Sequence, residues 1–370
     1  MKVAIAGGGT AGHVNPAIAL ARALQMEHSA HAVSFIGTAI GAEATLVPGA
    51  GFSLSTIDVI GFDRAKPMTL PATGARAGRA IMQARAALTD SSADIVVGMG
   101  GYVSLPVCIA ARSLRRPVVL HEQNIVLGLA NKFARPWARA VAVSWMETLR
   151  QAGRRAVMTG NPVTDELVGF DATAVRTRAI GRWNLDPARM TLLVFGGSQG
   201  ARCVNEAAAG LARLWKGATD RQVVHIAGSG AYGAVKAQVE QHAISPGGLI
   251  YRVIDYLDGM LEAYAVADLA LCRGGASTVA ELTAVGLPSI IVPYPHHRDR
   301  QQERHARVLE DAGAAAMLPD AETTTERVAA EVERLFTDRA ALLSMGIESA
   351  HLGHPDAARR LARLVAESAR

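Results

Sequence analysis

No stretch of this chain approaches the roughly 18 to 20 consecutive apolar residues that a membrane-crossing helix needs, so contact with a bilayer is expected at its surface at most. The opening MKVAIAGGG is too short and too glycine-rich for a secretory leader. Cysteine is scarce: Cys108, Cys203 and Cys272 form neither a paired framework nor a C-x-x-C site, which suits a reducing cytoplasm. A G-K-[ST] sequence is missing, which excludes a P-loop. No D-x-D follows any expected strand, so neither a protein-bound metal nor another cofactor is expected.

What is present is an uneven charge. The net charge is +5; residues 1–165 hold 16 Lys and Arg against 9 Asp and Glu, and residues 166–370 hold 22 against 24. A basic first half fits an acidic partner, namely nucleic acid, a phosphorylated substrate or an anionic membrane, and equally a solvated arginine-rich surface. Half of the 370 residues are hydrophobic, enough for two domains with a core each.

Short apolar runs alternate with helical stretches. The expected strands of the first half are Lys2–Ala6, Ala32–Ile36, Ser53–Ile57, Ile95–Gly98, Val118–His121, Val141–Ser144 and Val157–Gly160. After a pause at GNPV, the pattern restarts with Thr191–Phe195, Val223–Ala227, Leu249–Val253, Leu269–Cys272, Ser289–Pro293 and Ala315–Leu318. Unbroken Val/Ile/Leu strands separated by helices predict α/β architecture: two Rossmann-like domains with doubly wound parallel sheets. The expected domains are residues 1–163 and 164–349, with a last helix at about 350–370 packing back on the first. A cleft faced by the carboxyl ends of both sheets is the expected ligand site.

Each half carries a glycine loop after its first strand: GGGTAGH (Gly7–His13) and GGSQGA (Gly196–Ala201). The first contains G-x-G-x-x-G, the dinucleotide fingerprint. A NAD site also needs a carboxylate at the end of the second strand. Here that strand ends Ser34-Phe35-Ile36-Gly37-Thr38, and the nearest carboxylate, Glu43, lies beyond it. The redox reading therefore fails. What remains is backbone N–H groups at helix starts, which attract phosphate. A third helix start follows Leu269–Cys272, in RGGAST, with Glu281 one turn in, where a carboxylate suits ribose hydroxyls or the helix dipole alone. The adjacent Gln301 and Gln302 each offer a donor and an acceptor, as a sugar requires.

Six segments stand in order: GGGTAGHVNP, GMGGYVSLP, HEQN, GNPV, GGSQGA, and CRGGASTVAELTAVGLP with DRQQ. Together they resemble the bacterial UDP-N-acetylglucosamine:lipid I N-acetylglucosaminyltransferase (MurG) family, which has the GT-B fold, over nearly the whole chain. The resemblance implies inverting transfer of GlcNAc from UDP-GlcNAc to the C4 hydroxyl of the muramyl sugar of a polyprenyl-diphosphate-linked muramyl peptide, for peptidoglycan synthesis. It implies a peripheral place on the cytoplasmic face of the cell membrane, cell-wall and division proteins as further partners, and no nucleic acid. By the same resemblance Ile254 holds the uracil through its backbone. Ala276, Ser277, Thr278, Val279, Ala280 and Glu281 wrap the diphosphate and ribose, and Ser198 stands near the diphosphate. Gln301 and Gln302 read the sugar, and Thr10, Ala11, Gly12 and Asn124 close over the site from the first domain.

Three positions depart from the family. Ala11 stands where glycine is usual, and Thr164 where an arginine reaches the diphosphate, leaving Arg273 or Arg202 as replacement cations. An extra residue seats itself before DRQQ, in Pro295-His296-His297. Single displacement with inversion needs a general base and no covalent nucleophile. His13 is the first candidate, with acceptor-diphosphate binding as its rival role; Glu122 is the second. Residues 75–88 read as a helix with Ala77, Ile81, Ala84 and Leu88 on one face, and KFARPWARA (Lys132–Ala140) mixes aromatics with cations; both are candidate contacts for an anionic membrane surface, or faces packed on their own domain. The residues leave open another GT-B glycosyltransferase, a UDP-GlcNAc 2-epimerase, or a non-catalytic nucleotide-sugar binder.

Overall fold

The computed structural model describes residues 1–59, 70–169, 171–197, 200–242, 247–296 and 299–370, with side chains described from residue 76 onward in the helix that begins at Leu70. The chain forms two compact units, Met1–Asp165 with His354–Arg370, and Glu166–Gly353.

In the first unit the strands are β1 (Lys2–Ala6), β2 (Ala32–Gly37), β3 (Ser53–Thr56), β4 (Ile95–Gly98), β5 (Val118–Glu122), β6 (Ala140–Val143) and β7 (Ala156–Met158). They pair in parallel in the order β3-β2-β1-β4-β5-β6-β7. In the second unit β8 (Met190–Phe195), β9 (Arg221–Ile226), β10 (Ile250–Ile254), β11 (Leu269–Cys272), β12 (Ser289–Ile291) and β13 (Ala315–Met317) pair in parallel as β10-β9-β8-β11-β12-β13. Every expected strand forms, within a residue or two at its ends.

Both faces of the first sheet are covered, which is why its strands are apolar throughout. Along β1, Val3 and Ile5 enter one core with Leu20, Leu24, Phe35 and Val97, while Ala4 and Ala6 enter the other with Val96, Val107 and Leu120. This is the two-residue alternation of a strand, read here as two cores rather than core and solvent. The helix Ala357–Ser368 returns to this unit. Its Ala358, Leu361, Ala362 and Val365 recur at helical spacing and are buried with Leu20 and Leu24 of the helix Ala11–Glu27.

The apolar face of the helix Leu70–Asp90 is spent inside its own unit. Ala80, Ala84 and Leu88 are buried, and Ile81 packs on the same core, against Val103 and Val107 of the helix Gly101–Ser113. Of the two readings open for this face, lipid contact or packing on its own domain, Ile81, Ala84 and Leu88 take the second. Among the helix residues whose side chains are described, Met82 is a large apolar one left exposed.

Leu361→Ala removes a fully buried side chain between the two helices. We expect it to lower the unfolding free energy by about 2–5 kcal/mol, read by urea denaturation; a change under about 0.5 kcal/mol would mean the C-terminal helix adds nothing to this core.

Candidate active site

The carboxyl ends of β1, β4, β5 and β7 carry the chemistry of the first unit. Thr10, Ala11, Gly12 and His13 open the helix Ala11–Glu27 directly after β1, with Thr10 as the extended N-cap residue. The turn before it is organised by a residue far away in sequence. Glu43 is fully buried, and its carboxylate accepts from the Gly9 N–H (2.8 Å), the Thr38 N–H (2.8 Å) and the Thr38 hydroxyl (2.7 Å). A methyl group on Gly8 or Gly41 would collide with that carboxylate, so close approach is why glycine stands there. Burial alone would raise the Glu43 pKa; the hydrogen bonds from Thr38 and Gly9 outweigh it and hold the carboxyl below its ordinary value. The turn is therefore less open to an anion than its glycines suggest, since the Gly9 donor is already used.

His13 Nδ1 lies 3.0 Å from the Thr10 hydroxyl. Burial pushes the imidazole below its ordinary pKa, and the Glu43 charge pulls it partly back. His13 is thus neutral at neutral pH, as a proton acceptor must be and a phosphate ligand need not be. Its ring packs against the left-handed Gly100 and Gly101, which lead into the helix Gly101–Ser113.

Glu122 ends β5 and is buried. Oε1 accepts from the Asn124 N–H (3.1 Å) and the Asn124 side-chain amide (3.3 Å); Oε2 accepts from the Gly128 N–H (2.8 Å) and the Asn131 amide (2.8 Å). Burial raises its pKa against those bonds. All four lone-pair positions are taken, so Glu122 organises the 122–131 loop. Asn124 is thereby tied to this carboxylate. Two neighbours escaped the sequence reading. His121 donates from Nε2 to the Gly160 carbonyl (3.1 Å), and burial drives its pKa down to about 4. Its Nδ1 and both side-chain polar atoms of buried Asn161 have no partner among the described residues. Buried polar atoms without partners are unusual and are the normal signature of a ligand or water position. Thr164 is half-buried near the end of this unit.

In the second unit a cavity of about 580 Å³, within the range of small-molecule sites, is lined by Gly196, Gly197, Gly200, Gly275, Thr278 and Gln302, among others. Ser198 lies outside the described residues. Gly200 is left-handed (φ 70°) and a Cβ there would meet the Ala227 carbonyl, so this glycine is obligatory. Behind it runs a buried chain of hydrogen bonds. The Asn205 amide donates to the Ala227 carbonyl (2.9 Å), its oxygen accepts from His225 Nε2 (3.1 Å), and His225 Nδ1 accepts from the Tyr251 hydroxyl (2.9 Å). Burial takes the His225 pKa down to about 3, so the ring is neutral and the chain has one fixed direction.

The helix Ala276–Val285 starts at Gly275, and Ala276, Ser277, Thr278 and Ala280 are half-buried in its first turns. Val279 is 2% exposed, with its side chain in the core and its N–H bonding the Gly275 carbonyl. Glu281 lies beyond the capping positions, so it is not a cap. It accepts from the Tyr264 hydroxyl (2.7 Å), and burial pushes its pKa up to about 7 against that bond. Ile254 ends β10, with its carbonyl accepting from the Ala227 N–H. Of the two glutamines, Gln302 lines the cavity and accepts from the Tyr294 N–H (2.9 Å), whereas Gln301 is buried. The segment before them includes His297, outside the described residues. Arg273 is pinned by Asp320 (2.5 Å) and by the Val292 and Pro293 carbonyls. Arg202 lines the same cavity, exposed, with no ion pair among the described residues. No group of three or more described His, Cys, Asp and Glu side chains is placed to hold a metal ion.

Residues 3–143 match the N-terminal domain of glycosyltransferase family 28, and residues 191–361 its C-terminal domain. A UDP-N-acetylglucosamine--N-acetylmuramyl-(pentapeptide) pyrophosphoryl-undecaprenol N-acetylglucosamine transferase of Nocardioides sp. is 41% identical, over 99% of this chain and 98% of its own. The same-named protein of Halothermothrix orenii is 36% identical over the full length of both. The chain belongs to this family of N-acetylglucosamine transferases. The crystal structure of the Acinetobacter baumannii family member MurG matches it with a TM-score of 0.77 at 28% identity, over 99% of each chain. A Neisseria meningitidis UDP-GlcNAc 2-epimerase bound to UDP-GlcNAc matches with a TM-score of 0.67 at 12% identity, which speaks for the GT-B-like transferase fold alone.

Two outcomes follow for this site. Glu43→Gln keeps the shape but removes the charge: we expect stability to fall by about 1–3 kcal/mol at neutral pH. A depressed carboxyl stabilises above its ordinary pKa and loses that as pH falls, so the deficit should shrink in acid, which thermal melts across pH would show. Glu281, raised to about 7, is half protonated at neutrality. We expect donor KM to fall as pH rises through about 7, and this dependence to vanish in Glu281→Gln, along with a charge-assisted bond worth about 1.5–3 kcal/mol. A pH-independent KM in the parent chain would contradict it.

Proposed function

We propose that this chain transfers N-acetylglucosamine from UDP-GlcNAc to the C4 hydroxyl of the muramyl sugar of a polyprenyl-diphosphate-linked muramyl peptide. The observation that carries the reading is the cavity where two glycine turns, after β8 and after β11, meet the helix start at Gln302, in a chain whose relatives bear that transferase name end to end. The donor sits on the second unit. Its diphosphate meets the glycine turn at Gly196–Gly197 and the amides opening the helix at Gly275, Ser198 is the further donor that the family resemblance implies, and Arg202 supplies the cation that Thr164 does not. Glu281 takes the ribose hydroxyls, Ile254 the base, and Gln302 the sugar, with Gln301 bracing it from the helix interior.

The acceptor oxygen attacks the anomeric carbon as the bond to the UDP oxygen breaks, so the α-linked donor gives a β-linked product. The hydroxyl proton passes to His13, whose depressed pKa keeps it ready to accept. The charge that develops on UDP is met by fixed amide dipoles and Arg202. His121 and Asn161, with polar atoms unspent, serve the acceptor. Described helices are too short or too polar to cross a membrane. Membrane contact on the cytoplasmic face is carried by exposed Leu129 and Phe133, beside Lys132 and Arg135, and by Met82. Division and cell-wall proteins are partners in the same setting.

His13→Ala tests the base. We expect kcat to fall by about 10²- to 10⁴-fold with donor KM near normal, in an assay of UDP-GlcNAc with a lipid I analogue. An intact kcat with raised acceptor KM would make His13 a diphosphate ligand instead, and epimerised donor without transfer would remove the transferase reading.

A further inference from the structure

Glu281 is held from one side only. Its Oε2 accepts from the Tyr264 hydroxyl (2.7 Å), while Oε1 has no partner among the described residues. Thr278, one helical turn earlier and therefore on the same face, lines the cavity of the second unit. The carboxylate has one oxygen engaged behind it and one left for a ligand.

The donor of that hydrogen bond is itself fixed in place. Tyr264 is 4% exposed and lies in the short helix Leu261–Val266. Its ring meets Phe195 edge-on, with the centroids 6.1 Å apart. Phe195 is the last residue of β8, immediately before the glycine turn Gly196–Ala201. The end of the short helix is clamped by Arg176, from the helix Ala172–Trp183, which donates to the carbonyls of Ala265 (3.2 Å) and Val266 (2.7 Å) and lies 3.6 Å from the Asp268 carboxylate. A buried tyrosine hydroxyl needs a partner, and with ring and backbone both held, Glu281 is the partner it has. Burial, together with the Glu281 charge, pushes the Tyr264 pKa well up, so the phenol keeps its proton and donates. Cys272, at the end of β11, also acts on Tyr264; burial pushes its thiol up and keeps it neutral. Glu262, on the same short helix, is paired with Arg178 and Arg182.

We propose that Tyr264 is a positioning residue of the donor site: its hydroxyl holds Glu281 Oε2 so that Oε1 is presented to the ribose hydroxyls, and its ring ties that carboxylate to the turn that seats the diphosphate. This rests on the reading that Glu281 takes the ribose.

The test measures the affinities of UDP and of 2′,3′-dideoxy-UDP by calorimetry for the parent chain, Tyr264→Phe, Glu281→Gln and the double variant. Tyr264→Phe keeps the ring against Phe195 and removes the hydroxyl alone. We expect it to weaken UDP about tenfold, to leave dideoxy-UDP near the parent value, and to add nothing in the Glu281→Gln background. The preference for UDP over dideoxy-UDP should also rise with pH in the parent as Glu281 ionises at about 7. Losing a hydrogen bond that favours the ionised carboxyl raises its pKa, so in Tyr264→Phe that rise should move to higher pH by about 1–2 units. Equal losses for the two nucleotides, or an unchanged UDP affinity in Tyr264→Phe, would overturn the positioning role and leave the ribose assignment standing. An unchanged UDP affinity in Glu281→Gln would remove that assignment, and this inference with it.

Discussion

A carboxylate taken fully out of water must be met by donors, and the donors that Glu43 has gathered are the backbone of the turn that precedes His13. This one buried charge ties the first glycine turn to the end of β2, sets how close Gly8 and Gly41 can come, and partly offsets the burial that lowers the His13 pKa. The position of the proposed base therefore depends on a side chain with no part in the reaction. The opposite shifts of the two groups are useful together: a carboxylate held ionised stays a fixed scaffold, while an imidazole held neutral stays free to take a proton.

The second unit solves the equivalent problem without a charge. Asn205, His225 and Tyr251 hand a neutral hydrogen-bond chain from the helix after β8, through β9, to β10, and fix the Ala227 carbonyl against which Gly200 must fit. A neutral chain adds no fixed charge behind the cavity, which suits the proposed binding of a diphosphate there. Glu281 is the exception, and its raised pKa shows what an ionisable group costs in the same surroundings.

The strands were legible because parallel sheets covered on both faces leave unbroken apolar runs such as IVVG and AVAV. The glycine turns were legible because only glycine permits the backbone approach they make. Glu43 was seen in the sequence but weighed only as a missing ribose ligand; a contact 34 residues away from Gly9 leaves no local trace. At Glu122 the sequence shows the carboxylate and hides the four donors folded around it. Ala84 and Leu88 read equally well as a lipid face or a core face, since helical periodicity says which residues share a side and not what lies opposite.

Gly274 is pressed against the Gln302 carbonyl, while His305, one turn along the same helix, bonds the Gly274 carbonyl. The turn that starts the helix Ala276–Val285 and the helix that carries Gln302 are thus one mechanical piece. On the proposed reading, the seat of the phosphates and the glutamine that reads the sugar share one backbone contact, so a side chain added at position 274 would have to displace the Gln302 carbonyl and would disturb both at once.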